Sequence, residues 1–318
     1  MPEQSESRGR LDGRLRLTIL GAAAGGGFPQ WNCHCDICRL AWNGDARVSA
    51  RTQSSIAVTG DGVHWLLVNA SPDLRKQILS TPELAAGRHL GPDDRRGSPI
   101  AAVLVTNGDV DHVAGLLTLR ERQALTLYGT AGVLDVIDAN PIFNVLARDA
   151  VARVAVPSGT PFEPVPGLEV ELFPVPGKVP LYLEGDVVDV GAMGDMTTGI
   201  RLTAGGRTAY YIPGCAAVDD RLRDRLRDAD LLLFDGTVFT DDEMAAAGVG
   251  AKTGRRMGHV PISGAGGSLD AFSDLSIGAR VYVHINNTNP ILVEGSAERD
   301  CVEAEGWMVA HDGLELVP

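Results

Sequence analysis

The chain has 318 residues, a formal net charge of −13 at pH 7 and no basic stretch, which argues against binding to the phosphate backbone of nucleic acids. No run approaches the roughly 18 consecutive apolar residues of a membrane-spanning helix, and residues 1–14 lack the apolar segment of a secretory signal. We therefore predict a cytoplasmic protein without a nucleic-acid or membrane partner, in which residues 1–14 form a disordered tail.

Short apolar runs bounded by Gly, Pro, Asp or Asn predict β-strands, and apolar residues at helical spacing predict helices. The early strands form near-hairpins and helices are interspersed later, which suits two packed mixed sheets with helices outside. We predict this four-layer α/β arrangement as a single domain over residues 15–318. The predicted strands are Arg16–Leu20, Ser54–Thr59, Trp65–Asn69, Ile100–Thr106, Leu168–Phe173, Thr198–Leu202, Thr208–Ile212, Leu231–Phe234 and Arg280–His284. The predicted helices are Asp73–Leu79, His112–Arg122, Ala131–Ala139, Asp219–Arg227 and Ile262–Asp274.

The end of the fourth predicted strand is the most informative segment. After a fully apolar run, Asn107, Asp109, Asp111 and His112 follow in close succession. Side chains at the carboxyl end of a buried strand project into the crevice where α/β proteins bind small molecules. A helix cap needs one such residue, whereas Asp and His together suit first-row metal cations. The pattern therefore favours a metal site over simple capping.

Two further histidines lie in settings that suit such a site. His284 ends the last predicted strand and is followed by a polar loop, so we predict that it is the remote third metal ligand. His259 follows Gly258, whose missing side chain lets the backbone approach a ligand closely. We predict a catalytic acid/base at His259, with a structural role weighed equally. The acidic run at residues 241–243 instead predicts a solvated helix start.

Three of the five cysteines crowd into a C-x-C-x-x-C motif at Cys33, Cys35 and Cys38. In a reducing compartment such a cluster indicates metal rather than a disulfide, and three thiolates can hold one face of a tetrahedral zinc. A reduced thiol cluster without metal is the weaker alternative. No second cysteine pair supplies a fourth ligand, which leaves Asn287 or a water for that position.

These segments, in this order, resemble the metallo-β-lactamase superfamily. Its members carry a Thr-His-x-His-x-Asp-His strand end, a further His, an Asp before the last helices and a final His. A closer resemblance, from about residue 15 to the C-terminus, is to the coenzyme PQQ synthesis protein B family. It is carried by residues 20–33, 50–57, 69–73, 257–259 and 284–292. The resemblance implies the αββα fold and a role in making pyrroloquinoline quinone (PQQ), whose precursor is a cross-linked Glu-Tyr unit cut from a small peptide.

The departures from the superfamily pattern change the expected chemistry. Asn107 and Asp109 stand where the first two histidines belong, and no histidine occurs around residues 174–180. One metal position thus loses its imidazoles, while the other keeps Asp111, His112 and His284. Two histidines and one carboxylate with open positions are typical of non-haem Fe(II) oxygenases. The resemblance therefore implies Fe(II) at the active site, with zinc as an alternative occupant and Asp109 as a further candidate ligand, and a structural zinc on the cysteines.

Three functional hypotheses follow from the resemblance. The first is an Fe(II)- and O2-dependent hydroxylase that acts on the tyrosine ring of the precursor. The second is a carrier of PQQ or its precursor towards the periplasm, and the third is a zinc-dependent hydrolase. The ligand set favours the first, because a carrier needs no open metal position and a two-metal hydrolase needs more ligands. Position alone suggests Asn286 or Arg75 for orienting the acidic precursor, and a homodimer is the base-rate expectation.

Overall fold

The protein is described by a computed structural model over residues 13–89, 93–185 and 189–318. Of the predicted tail at residues 1–14, all but Gly13 and Arg14 lies outside the described residues. The described part folds into two seven-stranded sheets with helices on their outer faces. Among the helices that the structure describes, none combines the length and apolar character needed to traverse a lipid bilayer.

The strands alternate with short helices along the chain. The strands are β1 (Arg16–Gly21), β2 (Ser55–Thr59), β3 (Trp65–Val68), β4 (Ile100–Leu104), β5 (Leu125–Gly129), β6 (Val151–Ala155), β7 (Phe162–Val165), β8 (Leu168–Pro174), β9 (Thr198–Ala204), β10 (Arg207–Ile212), β11 (Leu231–Asp235), β12 (Ala279–Val283), β13 (Trp307–Val309) and β14 (Glu315–Leu316). The α-helices are α1 (Asp36–Trp42), α2 (Leu74–Ser80), α3 (Val110–Val113), α4 (Ala131–Ala139), α5 (Asp220–Leu226), α6 (Glu243–Ala246), α7 (Gly254–Met257), α8 (Ser268–Ala271) and α9 (Ala297–Ala304). Short 3-10 helices lie at Pro82–Leu84, Ala86–His89, Ala114–Leu119, Pro141–Val145, Leu181–Leu183 and Pro290–Leu292.

Both sheets are mixed, and each has an antiparallel half and a parallel half. The first sheet has the order β14-β1-β2-β3-β4-β5-β6, and the second has the order β13-β12-β11-β10-β9-β8-β7. Strands β3 to β6 run parallel in the first sheet, and β10 to β13 run parallel in the second. The predicted arrangement of two packed mixed sheets with outer helices is confirmed.

The central strands are apolar on both faces because both faces are covered. In β11, Leu231 and Leu233 point into the core between the sheets, whereas Leu232 and Phe234 pack beneath the outer helices. The same alternation divides β4 between the central core and a second outer core. In the sequence such strands are continuous hydrophobic runs. Burial of each leucine side chain stabilises the folded state by about 1.5–3 kcal/mol. The packing thereby fixes where these strands end, and the polar residues that follow emerge at the sheet edge.

The predicted helix Ile262–Asp274 is wrong over most of its length. Gly264 and Gly266 have left-handed φ values of 83° and 67°, which interrupt a right-handed helix. A single helical turn, α8, remains. The predicted solvated helix start at residues 241–243 is also wrong at its last residue, since Glu243 is only 7% exposed.

Candidate metal centre

The candidate site lies where the carboxyl ends of β4, β11 and β12 come together. A cavity of about 280 Å³ opens there. Its wall receives Asp111 and His112 from the segment after β4, Thr237 from the loop after β11, and His284 from the end of β12. Parallel strands deliver their C-terminal residues to one edge of a sheet, which is where open α/β proteins bind ligands. Residues far apart in sequence therefore meet in one cavity.

The structure brings Asp111, His112 and His284 within ligand distance of one another. The Asp111 Oδ2 atom lies 3.2 Å from His284 Nε2 and 3.8 Å from His112 Nε2. One donor atom from each residue lies within 4.8 Å of the other two, as a shared cation requires. The imidazole rings of the two histidines meet edge to face, 5.5 Å apart. The three donors thus surround one small volume at the cavity wall.

Hydrogen bonds fix which nitrogen of each imidazole faces that volume. His112 Nδ1 lies 2.7 Å from Asn107 Oδ1, an atom that can only accept, so Nδ1 carries the proton. His284 Nδ1 lies 2.8 Å from the Thr237 hydroxyl, which itself donates to Asp235 Oδ1 at 2.6 Å and so accepts from the imidazole. His112 Nε2 is left with a free lone pair, and His284 Nε2 is the nitrogen that faces the Asp111 carboxylate. This is the arrangement by which ligating histidines are oriented in metal sites.

The environment of His112 indicates that these residues fit a metal ion. This side chain is 2% exposed, and its Nε2 atom is buried without a hydrogen-bond partner among the described residues. A buried nitrogen lone pair without a donor is costly in a native structure. A cation held between His112, His284 and Asp111 would satisfy it.

His112 and Asp111 are held in the protonation states that bind a cation, whereas at His284 a cation competes with a proton. Burial lowers the pKa of His112 to about 4, so its imidazole is neutral at pH 7. Burial alone would raise the pKa of Asp111, but the imidazoles of His112 and His284 outweigh it and hold the pKa below the usual range. The pKa of His284 is raised, because the Asp111 carboxylate more than offsets the burial of the imidazole. Asp111 is thus a carboxylate, the form that binds cations.

A second constellation lies beside the first and was not predicted from the sequence. Asp235 is fully buried and accepts four hydrogen bonds, from the Cys215 and Thr237 amides, the Thr237 hydroxyl and His259 Nδ1. The His259 contact is 2.7 Å, so Nδ1 carries the proton and Nε2 retains its lone pair. The His259 ring stacks on His284 at 5.1 Å. His259 is thus an oriented imidazole on the cavity wall, next to the three candidate ligands.

Asp235, His259 and His284 also have donor atoms within 4.8 Å of one another. Hydrogen-bond donors already occupy both oxygens of Asp235, and Thr237 occupies Nδ1 of His284. We therefore interpret this second group as a hydrogen-bond network that supports the first.

The other residues named from the sequence take different places. Asp109 lines the same cavity, and burial together with the nearby Asp111 carboxylate raises its pKa. Asp109 belongs to none of the metal-capable groups found among the described residues. Asn286 lines the cavity, whereas Arg75 lies exposed on α2 and away from it. The cavity also receives two cations that the sequence did not single out, Lys178 and Lys252.

The three clustered cysteines form a separate site on the chain. The Sγ atoms of Cys33, Cys35 and Cys38 lie within 4.8 Å of one another. The side-chain amide of Asn287 caps them, with its nitrogen position 3.2, 4.0 and 3.3 Å from the three sulfurs in that order. Tetrahedral zinc with sulfur at about 2.3 Å and oxygen at about 2.1 Å needs sulfur-to-oxygen edges of about 3.6 Å. Rotating the amide by 180° would put its oxygen at that vertex.

Burial makes the free thiolates of this cluster unfavourable. It raises the pKa of Cys35 and raises that of Cys38 to about 12. The neighbouring thiols of the cluster also contribute to the pKa shift of each of these two cysteines. A divalent cation would stabilise the thiolates, since the thiolate is the form that ligates metal.

Asp235 and Thr237 are the functional residues that sequence reasoning missed. They follow the apolar run of β11 directly, as Asn107 follows the β4 segment. The same signal, polar residues at the end of a fully apolar strand, was therefore present. No histidine lies next to Asp235 and Thr237 in the sequence, because their partner His259 comes from a distant loop.

The chain is similar to known proteins over most of its length. Residues 64–285 match the family model for the β-lactamase superfamily domain. The chain is 60% identical over 302 residues to the coenzyme PQQ synthesis protein B of Methylobacterium radiotolerans, covering 95% of this chain and 99% of that protein. It is 54% identical over 303 residues to the protein of the same name in Ruegeria pomeroyi, covering 95% and 100%.

Solved structures show the same relationship. The crystal structure of zinc-bound PqqB from Methylobacterium extorquens aligns with a TM-score of 0.92 at 57% identity and covers 95% of this chain and 100% of that one. A diphosphatase from the PhnP family aligns with a TM-score of 0.65 at 21% identity, covering 95% and 96%, and so shares the fold.

Proposed function

The chain belongs to the coenzyme PQQ synthesis protein B family of the β-lactamase superfamily, and from that premise we propose that it is a mononuclear iron-dependent hydroxylase of PQQ biosynthesis. A role in PQQ biosynthesis follows from the family. The proposed substrate is the small-molecule precursor with its Glu-Tyr-derived skeleton, and O2 is the proposed co-substrate. We also propose a cytoplasmic location and a homodimer, for which size-exclusion chromatography with light scattering is the check.

The observation that carries the proposal is the ligand set at the cavity. It has two imidazoles and one carboxylate, and within the described part of the chain the Nε2 atom of His112 has no hydrogen-bond partner. The residues that replace the superfamily's first two histidines do not complete a second metal position. Asn107 uses its oxygen on His112 and on the Asp109 amide. A single metal with open coordination positions is typical of oxygen-activating iron sites.

Iron bound at this site would supply the activation of O2. The protein's own contribution is to hold the ligands and to move protons. Asp235 fixes the Nδ1 proton of His259, so the opposite nitrogen of the ring is the one available to accept a proton from a hydroxyl in the cavity. Buried carboxylate–imidazole pairs stabilise the protonated ring that results.

The electrostatics of the cavity suit an acidic substrate. Lys178 and Lys252 lie on its wall, and Lys178 pairs with Glu184 at 2.8 Å. Lys252 is exposed, and none of the salt bridges found among the described residues includes it. A substrate carboxylate can therefore pair with Lys252 without displacing a partner from the protein.

The test is anaerobic reconstitution with Fe(II), followed by addition of O2 and a tyrosine-derived dipeptide. We expect O2 consumption coupled to a hydroxylated product, and loss of both in Asp111→Ala. Asp149→Ala is the matched control, because that carboxylate lies on the surface and pairs with Arg122. Turnover with zinc alone and without O2 would instead show a hydrolase. Tight PQQ binding that survives His112→Ala, without turnover, would show a carrier.

A further inference from the structure

A chain of short hydrogen bonds leads away from the metal cavity through the loop after His284. The Asn286 side chain lies on the cavity wall, and its Nδ2 atom donates to the Thr288 hydroxyl at 2.6 Å. The Thr288 hydroxyl in turn donates to Glu243 Oε1 at 2.6 Å. All three side chains are buried, with exposures of 9%, 4% and 7%. The chain connects a cavity residue to a buried carboxylate that the proposed mechanism does not use.

The Glu243 carboxylate determines which groups donate and which accept in this chain of hydrogen bonds. An ionised carboxylate only accepts, so the Thr288 hydroxyl must give its one proton to Glu243. The Thr288 oxygen then has only lone pairs left for Asn286 and therefore requires the NH2 group of the amide. This leaves Asn286 Oδ1 as the end of the amide that can face the cavity, and none of the side-chain hydrogen bonds found among the described residues includes it.

Glu243 is itself held in place. Its second oxygen, Oε2, accepts from the Phe239 amide at 2.6 Å. Burial raises the pKa of Glu243 to about 7, so the side chain is ionised at pH 8. Neither Glu243 nor Thr288 reaches the metal cavity; both line a different cavity on the outer side of the loop. Their direct hydrogen-bonded route to the metal cavity runs through Asn286.

We propose that Glu243 is a positioning residue which, through Thr288, fixes the Asn286 amide with its oxygen towards the metal cavity, where it accepts a hydrogen bond from an N–H or O–H group of the substrate. This inference rests on the proposed function for the identity of the substrate. An amide passes protons poorly, which makes the chain a device for orientation rather than for proton transfer. A cavity that presents an acceptor selects substrates with a donor at that point.

The substitution Glu243→Gln tests the orientation directly, because it reverses the chain without changing its shape. The Phe239 amide still needs an acceptor, so the glutamine oxygen stays there and its NH2 group faces Thr288. Thr288 then accepts from Gln and donates to Asn286 Oδ1, which turns the amide over. The cavity then presents a donor to the substrate's donor.

The measurement is the affinity of a synthetic cross-linked Glu-Tyr dipeptide for the zinc-loaded protein at pH 8, under argon, by calorimetry. We expect Kd to rise about tenfold in Glu243→Gln, the loss of about one hydrogen bond. Thr288→Val should weaken binding similarly, and Thr288→Ser, which puts the hydroxyl back, should rescue it. In an Asn286→Ala background, Glu243→Gln should cause no further loss. O-methylated and N-acetylated forms of the dipeptide show whether the phenol or the ammonium is the donor.

A purely structural role for Glu243 predicts a different result. In that case Glu243→Gln would lower the melting temperature and the metal content together with the affinity. These losses would persist in the Asn286→Ala background. Unchanged affinity in Glu243→Gln overturns the inference while leaving the hydroxylase proposal intact. Wild-type binding without O2-dependent turnover overturns the hydroxylase alone. No wild-type binding overturns both.

Discussion

Replacing Asn107 by alanine removes the acceptor that orients His112. Asn107 Oδ1 lies 2.7 Å from His112 Nδ1, and the next acceptor, the Thr106 hydroxyl, lies 3.4 Å away. That hydroxyl donates to Asn69 and can still accept from Nδ1, but only over this longer distance. Without Asn107 the imidazole has only this long contact and can place its proton on Nε2, the atom that faces the metal site. Loss of such an orienting partner lowers metal affinity about 10- to 100-fold, or about 1.4–2.8 kcal/mol.

The assay is a competition titration of Co(II) against a chromophoric chelator under argon. The cysteine site is filled with zinc beforehand, and the absence of sulfur-to-cobalt charge-transfer bands confirms that Co(II) enters only the cavity site. Asn107→Asp keeps both acceptor contacts of the wild type, to His112 and to the Asp109 amide, and should bind at least as tightly. Asn144→Ala, an exposed asparagine outside the cavity, is the control for the substitution itself. Wild-type affinity in Asn107→Ala, or an equal loss in Asn107→Asp, would refute the assignment of His112 as an oriented ligand.

Three further outcomes follow from the contacts. His259→Gln should lower kcat by at least about 100-fold with unchanged metal content, the usual contribution of an acid/base group, measured by stopped-flow O2 consumption. Cys33→Ser should remove about one zinc per chain by elemental analysis and lower the melting temperature, whereas the exposed Cys301→Ser should change neither. Glu243→Gln should raise the free energy of unfolding at pH 8 by up to about 3 kcal/mol. The pKa of Glu243 is raised from 4.5 to about 7, so the wild-type protein loses stability as pH rises through that window. The stability gained by Glu243→Gln should therefore vanish below pH 4.5, as measured by denaturant titrations.

The sequence was sufficient to name the three candidate ligands because each follows a strand whose last residues are buried, or the turn after it. Asp111 and His112 come after β4, and His284 directly follows β12. A strand buried on both faces needs no polar residue, so polar residues at its end stand out. Parallel strands then place those ends together, which is why distant sequence segments could be assigned to one site.

The hydrogen-bond partners of the ligands could not be assigned in this way. Whether Asn107 was a ligand or the partner of a ligand depends on an orientation that the sequence does not contain. Glu243 looks like a solvated residue in an acidic run, and its burial follows only from the packing of α6 against the loop that carries Thr288. Asp235 and His259 come from different elements, and the 2.7 Å contact between them has no local signature.

The loop from His284 to Asn289 holds one candidate metal ligand in place without residues 107 and 109. His284 has a left-handed φ of 55°, a conformation that costs of order 1 kcal/mol for a residue other than glycine and must be held by its surroundings. Asn287 contacts the cysteine cluster, and Asn289 donates to the Gly236 carbonyl at 2.8 Å. None of these contacts involves the superfamily's first metal position. Imidazoles at residues 107 and 109 are therefore not needed to hold His284. Asn107 is instead free to orient His112, and this favours a single metal with open positions over a two-metal clamp.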